Sequence, residues 1–83
     1  MKNATPHKDP DVSVDCKGLM CPEPMMQLFK AVRTLKPGQV VELVATDPQC
    51  DENIPRWCER TRNQLVSQST SEGTLRYVIR KKS

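Results

Sequence analysis

The spacing of hydrophobic residues in the first half of the chain predicts a strand, a helix and a second strand. Residues 11–16 alternate between polar and apolar side chains, which is typical of a short, half-buried strand. A helical segment follows and ends at Pro37-Gly38, because proline and glycine do not continue a helix. Its apolar residues lie three and four positions apart on one stripe, namely Met25, Leu28, Phe29, Val32 and Leu35. Residues 39–46 are β-branched and almost continuously apolar, so they predict a central, well-covered strand.

The second half of the chain predicts a further helix and then two strands. We expect the helix to begin near Asp51 or Asn53, since both side chains are good N-caps. Its inner stripe consists of Ile54, Trp57, Cys58, Thr61 and Leu65. Two strands follow at about residues 66–71 and 75–81, joined by a turn at Glu72-Gly73. The order is β-α-β-α-β-β. A right-handed crossover should make the first two strands parallel and place both helices on one face, as in a two-layer α/β sandwich.

Length and composition allow one small domain. The chain has 83 residues, of which 36% are hydrophobic and 28% charged, enough for a single two-layer core. Residues 1–11 are polar, contain two prolines and lack periodicity, so we expect a disordered N-terminal arm before one domain at residues 12–83. No apolar run approaches the roughly 18 residues of a membrane helix. The start has no apolar signal segment, so we expect a cytoplasmic protein without membrane contact.

Basic residues are concentrated in the C-terminal third. Residues 56–83 hold seven Lys and Arg against two Asp and Glu, whereas the first 55 residues hold six against eight. Arg56 and Arg60 lie one helical turn apart and would present together, so they and Lys17 are candidate partner-binding residues. An RNA-binding or regulatory module is therefore one alternative function. The single Trp, Tyr and Phe offer no evident platform for stacking bases, which argues against it.

The sharpest local feature is the sequence Cys-Pro-Glu-Pro at the start of the first predicted helix. With Cys21 as the N-cap, Pro22 and Pro24 occupy the first turn, where the N–H groups have no intrahelical partner and proline is tolerated. Two prolines stiffen this turn and fix the direction of the thiol. A catalytic cysteine nucleophile needs a nearby base, but the only histidine, His7, lies in the predicted arm. A positioned thiol without a base favours a group carrier whose partner enzymes supply the chemistry.

Four short motifs share their order and spacing with a known family. The first is Gly18–Pro24 (GLMCPEP), ahead of an amphipathic helix, and the others are Asp47-Pro48, Ile54-Pro55 and Trp57-Cys58. Together they resemble the TusA/SirA family of small sulfur carriers. The resemblance runs from residue 12 to residue 81, nearly the whole chain beyond the arm. It implies a mixed four-stranded sheet with two helices on one side, in agreement with the predicted order of elements.

The resemblance also implies a function and assigns it to single residues. Cys21 matches the family's carrier cysteine and would hold sulfane sulfur as a persulfide, with no cofactor. The motif residues around it would position the thiol, namely Gly18, Pro22, Glu23 and Pro24. In the family, the sulfur comes from a cysteine desulfurase or a rhodanese-like donor and passes to a downstream sulfur-relay protein. The route often leads to thiolation of tRNA, which is reached indirectly, and in some organisms it serves sulfur oxidation. We expect a monomer.

The other three cysteines raise further alternatives. Cys16 and Cys50 follow the two parallel strands, whose ends lie at the same sheet edge, so they are candidate auxiliary thiols. They would receive sulfur from Cys21 or resolve it as a disulfide. Cys58 lies on the inner stripe of the second helix and is expected to pack in the core. The absence of a Cys-x-x-Cys spacing argues against a zinc site and against a third function class, the thiol-disulfide oxidoreductases.

Overall fold

The computed structural model describes residues 10–82 and gives them the predicted order of elements. These residues form β1 (Val12–Cys16), α1 (Glu23–Thr34), β2 (Val40–Ala45), α2 (Cys50–Thr61), β3 (Gln64–Ser71) and β4 (Thr74–Arg80). Of the arm predicted at residues 1–11, residues 1–9 lie outside the described residues. Asp11 is bound to the sheet, because its N–H donates to the Val40 carbonyl oxygen (2.8 Å) and its Oδ2 accepts the Val40 N–H (2.8 Å).

The four strands form one mixed sheet in the order β1-β2-β4-β3. β1 pairs with β2 in parallel, with Val14 opposite Leu43, as a crossover through α1 requires. β4 runs antiparallel to both β2 and β3. The turn between β3 and β4 has Glu72 and Gly73 at positive φ (50° and 80°), the conformation of a two-residue hairpin turn. The predicted parallel pair, mixed sheet and final hairpin are confirmed.

One hydrophobic core lies between the sheet and the two helices. Alternate residues of the strands face it, for example Val41, Leu43 and Ala45 of β2, which are fully buried. α1 packs over β1 and β2, and α2 packs over β3 and β4. Leu28 of α1 and Ile54 of α2 are buried in the same cluster, so both helices cover one face of the sheet, as predicted.

α1 begins one residue later than the sequence predicts. Its N-cap is Pro22 rather than Cys21, and the N–H of Met26 donates to the Pro22 carbonyl oxygen (3.0 Å) in the first helical hydrogen bond. The N–H of Glu23 donates to the Met20 carbonyl oxygen (3.0 Å), which closes a turn just ahead of the helix. Cys21 therefore lies in this turn, outside α1.

α2 begins earlier than predicted, and neither Asp51 nor Asn53 is its N-cap. The helix starts at Cys50, with Gln49 as the N-cap. Asp47 forms a turn ahead of the helix, since its Oδ1 accepts the N–H of Gln49 (3.0 Å) and its carbonyl oxygen accepts that of Cys50 (3.0 Å). No side-chain hydrogen bond caps α2, and the side chains of Asp51 and Asn53 contact other elements instead.

Two residues of the predicted helical stripes lie elsewhere. Phe29 is 40% exposed, because it packs against the half-buried Trp57 between the two helices rather than in the core. Leu65 belongs to β3, since α2 ends at Thr61 and Arg62 takes a left-handed conformation (φ 65°) that stops the helix. The periodic pattern of apolar residues continues past Arg62, so the sequence alone does not predict where α2 ends.

Candidate functional site

The loop that carries Cys21 is held against the end of β2. Gly18 has a φ of 84°, a left-handed conformation that favours glycine, and its N–H donates to Thr46 Oγ1 (2.9 Å). The N–H of Leu19 closes a turn on the carbonyl oxygen of Cys16 (3.1 Å). Because β1 and β2 are parallel, the segments that follow them leave the same edge of the sheet, and Gly18 joins them there.

Asp47 fixes the backbone of Cys21 from the second of these segments. Its Oδ2 accepts the N–H of Cys21 at 2.6 Å, while its Oδ1 accepts the N–H of Gln49 at 3.0 Å. These two N–H groups, that of Cys21 foremost, lower the pKa of Asp47 below its usual value because they stabilise the carboxylate. The Asp47-Pro48 motif therefore links the Cys21 loop to the start of α2.

The sulfur of Cys21 is contacted by an amide of α2. Asn53 Nδ2 donates to Cys21 Sγ at 3.2 Å, and both residues are half-buried. The thiol is thus not sealed in the core. The peptide bond between Cys21 and Pro22 is cis. The sequence pattern did not mark Asn53 as a site residue, because its side chain was interpreted as an N-cap. The available signal was its place one helical turn after Cys50, on a helix that starts at the same sheet edge.

Cys16 and Cys50 lie at the same edge as Cys21 but inside the core, at 0% and 1% exposure. Burial first, and then the charge of Asp47 and the thiols of Cys21 and Cys16, raise the pKa of Cys50 to about 11. Burial, followed by the charge of Asp15, also raises the pKa of Cys16. The structure brings the three thiols together at one edge and closes two of them to solvent. Their auxiliary roles stay a prediction.

The first turn of α2 is anchored to the sheet through Asp51. Tyr77 Oη donates to Asp51 Oδ1 at 2.5 Å, and Gln68 Nε2 donates to the same oxygen at 3.0 Å. Tyr77 is fully buried, and burial followed by the hydrogen bond to this carboxylate raises its pKa. The turn that carries Asn53 is therefore bound to both β3 and β4, which keeps the amide beside Cys21.

An open groove lies between α1 and α2 and reaches Asn53. It is lined by Met25, Phe29, Asn53, Arg56, Trp57 and Arg60. The rings of Phe29 and Trp57 form much of its apolar part, with centroids 5.5 Å apart. Two further large apolar side chains are exposed, Met20 before Cys21 and Met26 in α1, at 75% and 55%. The thiol thus adjoins an apolar surface that carries two arginines.

The remaining predicted site residues lie around the loop. Pro24 is buried and anchors the start of α1, whereas Pro22 and Glu23 are exposed. Lys17 is also exposed, and its Nζ lies 3.6 Å from Asp15 Oδ2. The motif therefore has one proline in the core, and its one charged residue, Glu23, lies with the neighbouring Lys17 at the surface, where a partner can reach them.

Cys58 is buried in the core at 3% exposure, as expected, and burial raises its pKa to about 11.

Among residues 10–82, no group of three or more His, Cys, Asp or Glu side chains is arranged to hold a metal ion. In the same part of the chain, no helix combines the length and apolar character needed to cross a bilayer. The chemistry that this site offers is that of one accessible thiol, Cys21.

Known proteins match the chain over most of its length. A family model described as sulfurtransferase TusA matches residues 12–81. A protein of Pseudomonas syringae pv. syringae (strain B728a) named sulfur carrier protein TusA is 44% identical over 73 residues, which cover 88% of this chain and 87% of the relative. Its namesake from Pseudomonas aeruginosa (strain LESB58) is also 44% identical over 73 residues, covering 88% and 92%. A solved SirA-like protein from Desulfitobacterium hafniense has the same fold, with a TM-score of 0.76 and 22% identity over 87% of this chain and 99% of that chain.

Proposed function

This chain belongs to the TusA sulfurtransferase family, and on that premise we propose that it is a sulfur carrier that holds sulfur as a persulfide on Cys21. The observation that carries the proposal is the half-buried Cys21 Sγ, which lies 3.2 Å from the Asn53 amide at an edge of the sheet. Asp47 holds the backbone of the same residue. A thiol that is held in place and is not sealed in the core is suited to accepting sulfur from a partner.

Loading such a thiol exchanges one sulfur–sulfur bond for another. The Cys21 thiolate attacks the outer sulfur of a persulfide on the donor. A bond forms between that sulfur and Cys21 Sγ, and the donor's cysteine leaves as a thiolate. The donor supplies both the sulfur and the leaving group, so no cofactor takes part. This chemistry suits a protein that holds the group and leaves its production to a partner enzyme.

We propose a cysteine desulfurase or a rhodanese-like protein as the donor and a downstream sulfur-relay protein as the acceptor. Both would dock on the groove between α1 and α2, since this groove reaches the Asn53 amide beside the thiol. Arg56 and Arg60 line it, so a partner with acidic residues around an apolar contact fits best. The exposed pair between Arg56 and Glu52 (3.8 Å) costs little to open when a partner binds. Lys17 is a further candidate for contact with a partner, because it is exposed and lies directly before the Cys21 loop.

The comparisons do not support the RNA-binding alternative. In addition, several basic residues of the C-terminal third make contacts within the protein. Arg76 pairs with Glu42 at 2.6 Å across the sheet, and Lys81 Nζ donates to the carbonyl oxygen of Leu35 at 2.8 Å. The positive charge of this third is therefore partly used to join strands and to close the end of α1.

Sulfur loading tests the proposed function. The protein is incubated with a cysteine desulfurase and cysteine, and its intact mass is followed by mass spectrometry. We expect the mass to rise by one sulfur atom and the peptide map to place that atom on Cys21. The matched control is Cys21→Ser, which removes the sulfur nucleophile with little change in size and should gain nothing. Wild-type protein that takes up no sulfur, or a control that loads equally, would refute the proposal.

The same peptide maps decide whether the buried thiols take part. Because Cys16 and Cys50 are closed to solvent, they would receive sulfur from Cys21 rather than directly from a donor. Their participation would show as a persulfide on one of them, or as a disulfide to Cys21 with loss of hydrosulfide, in loaded protein held without an acceptor. Sulfur that stays entirely on Cys21 would remove both from the mechanism.

A further inference from the structure

We propose that the Asn53 amide is a catalytic hydrogen-bond donor that stabilises Cys21 Sγ as the carried sulfur leaves it. The inference rests on the proposed function, because it concerns the unloading of a persulfide on Cys21. Its geometric basis is the hydrogen bond of 3.2 Å from Asn53 Nδ2 to Cys21 Sγ. A sulfur that bears negative charge is a much better acceptor for such a bond than a neutral one.

The start of α1 offers few donors of its own to the thiol. A helix N-terminus ordinarily presents N–H groups that can stabilise an anion. Here Pro22 and Pro24 have no N–H, and the N–H of Glu23 donates to the carbonyl oxygen of Met20 (3.0 Å). The two prolines thus remove two of the N–H groups that would otherwise serve, and the turn ahead of the helix occupies a third. A donor from another element, the Asn53 amide, takes their place.

The carboxylates at this edge of the sheet increase the effect that such a donor has on the thiolate. The N–H of Cys21 is directed to the carboxylate of Asp47 (2.6 Å), and the charges of Asp47 and Asp51 both act on the neighbouring Cys50. Negative charge that develops on Cys21 Sγ therefore lies near the Asp47 carboxylate, which has the same sign. The amide N–H opposes this repulsion with its positive partial charge. Its position is fixed, because Tyr77 holds the first turn of α2 through Asp51.

Unloading places negative charge on the atom that Asn53 contacts. The acceptor thiolate attacks the outer sulfur of the persulfide and forms a bond to it. The bond from that sulfur to Cys21 Sγ breaks, and its electron pair stays on Sγ, so Cys21 returns as a thiolate. The acceptor keeps the sulfur and its proton, and no external oxidant or reductant is needed. The N–H···Sγ bond strengthens as the transfer proceeds, and an interaction stronger in the transition state speeds the step.

Cyanide discharge of the loaded protein tests the role of the amide. Cyanide removes the outer sulfur as thiocyanate and leaves the thiolate on Cys21, without any protein docking. The full chain is loaded with sulfur and freed of donor, and thiocyanate formation is timed. We expect Asn53→Leu, of similar size but without the donor, to discharge about tenfold more slowly, the lower end for loss of a hydrogen bond to a charged group. Asn53→Asp keeps the shape and adds a carboxylate, so it should be slower still.

Gln49→Leu is the matched control, because it removes an exposed amide from the N-cap of the same helix. It should discharge at the wild-type rate, and circular dichroism checks that every variant is folded. A purely structural role predicts wild-type discharge for the shape-preserving Asn53→Asp. That result, or wild-type discharge by Asn53→Leu, would overturn the inference. Neither would affect the proposed function, which is tested separately by the uptake of sulfur on Cys21.

Discussion

The four cysteines of this chain differ because their surroundings differ. Cys16, Cys50 and Cys58 are buried, and burial raises the pKa of each thiol, to about 11 for Cys50 and Cys58. Of the four, Cys21 is the half-buried one, and its sulfur accepts an amide N–H. Since the thiolate is the form that attacks sulfur, the three buried residues are held in an unreactive form at neutral pH. Exchange with a partner is left to Cys21.

Asp47 gives the site a dependence on pH. Its pKa is lowered in the folded protein, chiefly by the N–H of Cys21, so it stabilises the fold fully above the unfolded value of about 3.9. This contribution is lost as the pH falls through the lower folded value. We predict that the difference in unfolding free energy between wild type and Asp47→Asn shrinks as the pH is lowered below about 4. Urea denaturation over a series of pH values measures it.

Thr46→Val is the control for this titration. It removes the neighbouring hydrogen bond from the Gly18 N–H to Thr46 Oγ1 without removing an ionisable group. Its difference from wild type should stay constant over the same pH range. A difference between wild type and Asp47→Asn that is equally flat would show that the carboxylate does not bind the Cys21 N–H more strongly when it is ionised.

At the level of helices and strands, local sequence patterns predict much of the fold. The period of the apolar residues identifies each element, and the short segments between strands limit how they connect. The burial of alternate residues in β4, such as Leu75 and Tyr77, follows from the same pattern, whereas the almost continuously apolar β2 does not show which of its residues face the core. The Cys-Pro-Glu-Pro motif likewise draws attention to Cys21 without a structure. These predictions hold because neighbours in sequence decide them.

The contacts that build the site could not be predicted in this way. The Asn53 amide reaches Cys21 Sγ across 32 positions, and the Asp47 carboxylate reaches the Cys21 N–H across 26. Asp51 and Asn53 are good N-caps in general, so the sequence suggested a capping role for them. In the structure Gln49 is the N-cap of α2 and no side-chain hydrogen bond caps this helix, while the Asn53 amide contacts the thiol. Only the packing of α2 on the sheet decides between these roles.

The molecule as a whole places its accessible thiol beside an apolar groove that carries arginines. If partners with acidic surfaces dock there, neutralising these charges should slow sulfur transfer from a protein donor. We predict that the double variant Arg56→Gln, Arg60→Gln loads from a cysteine desulfurase about tenfold more slowly at low salt. The difference should fade at high salt, where charges are screened within a few ångströms. The initial rate of mass increase measures both effects.

A second double variant, Arg80→Gln with Lys82→Gln, removes the same charge from the other end of the sheet. Arg80 pairs with Val40 at the start of β2, whereas the thiol lies beyond its end. This control should load like wild type. Equal slowing of both double variants would mean that net charge, rather than the groove, steers the donor. Cyanide discharge of the loaded groove variant should be unchanged, because that reaction needs no docking.

A chase of labelled sulfur tests most directly whether one held thiol carries sulfur between partners. The protein is loaded from radiolabelled cysteine by a cysteine desulfurase, separated from it, mapped and then given a small thiol as acceptor. We predict one labelled sulfur atom per chain on Cys21, which persists in buffer alone and moves to the acceptor as the protein returns to its unloaded mass. Label found mainly on other residues, or label lost equally fast without an acceptor, would contradict this mechanism.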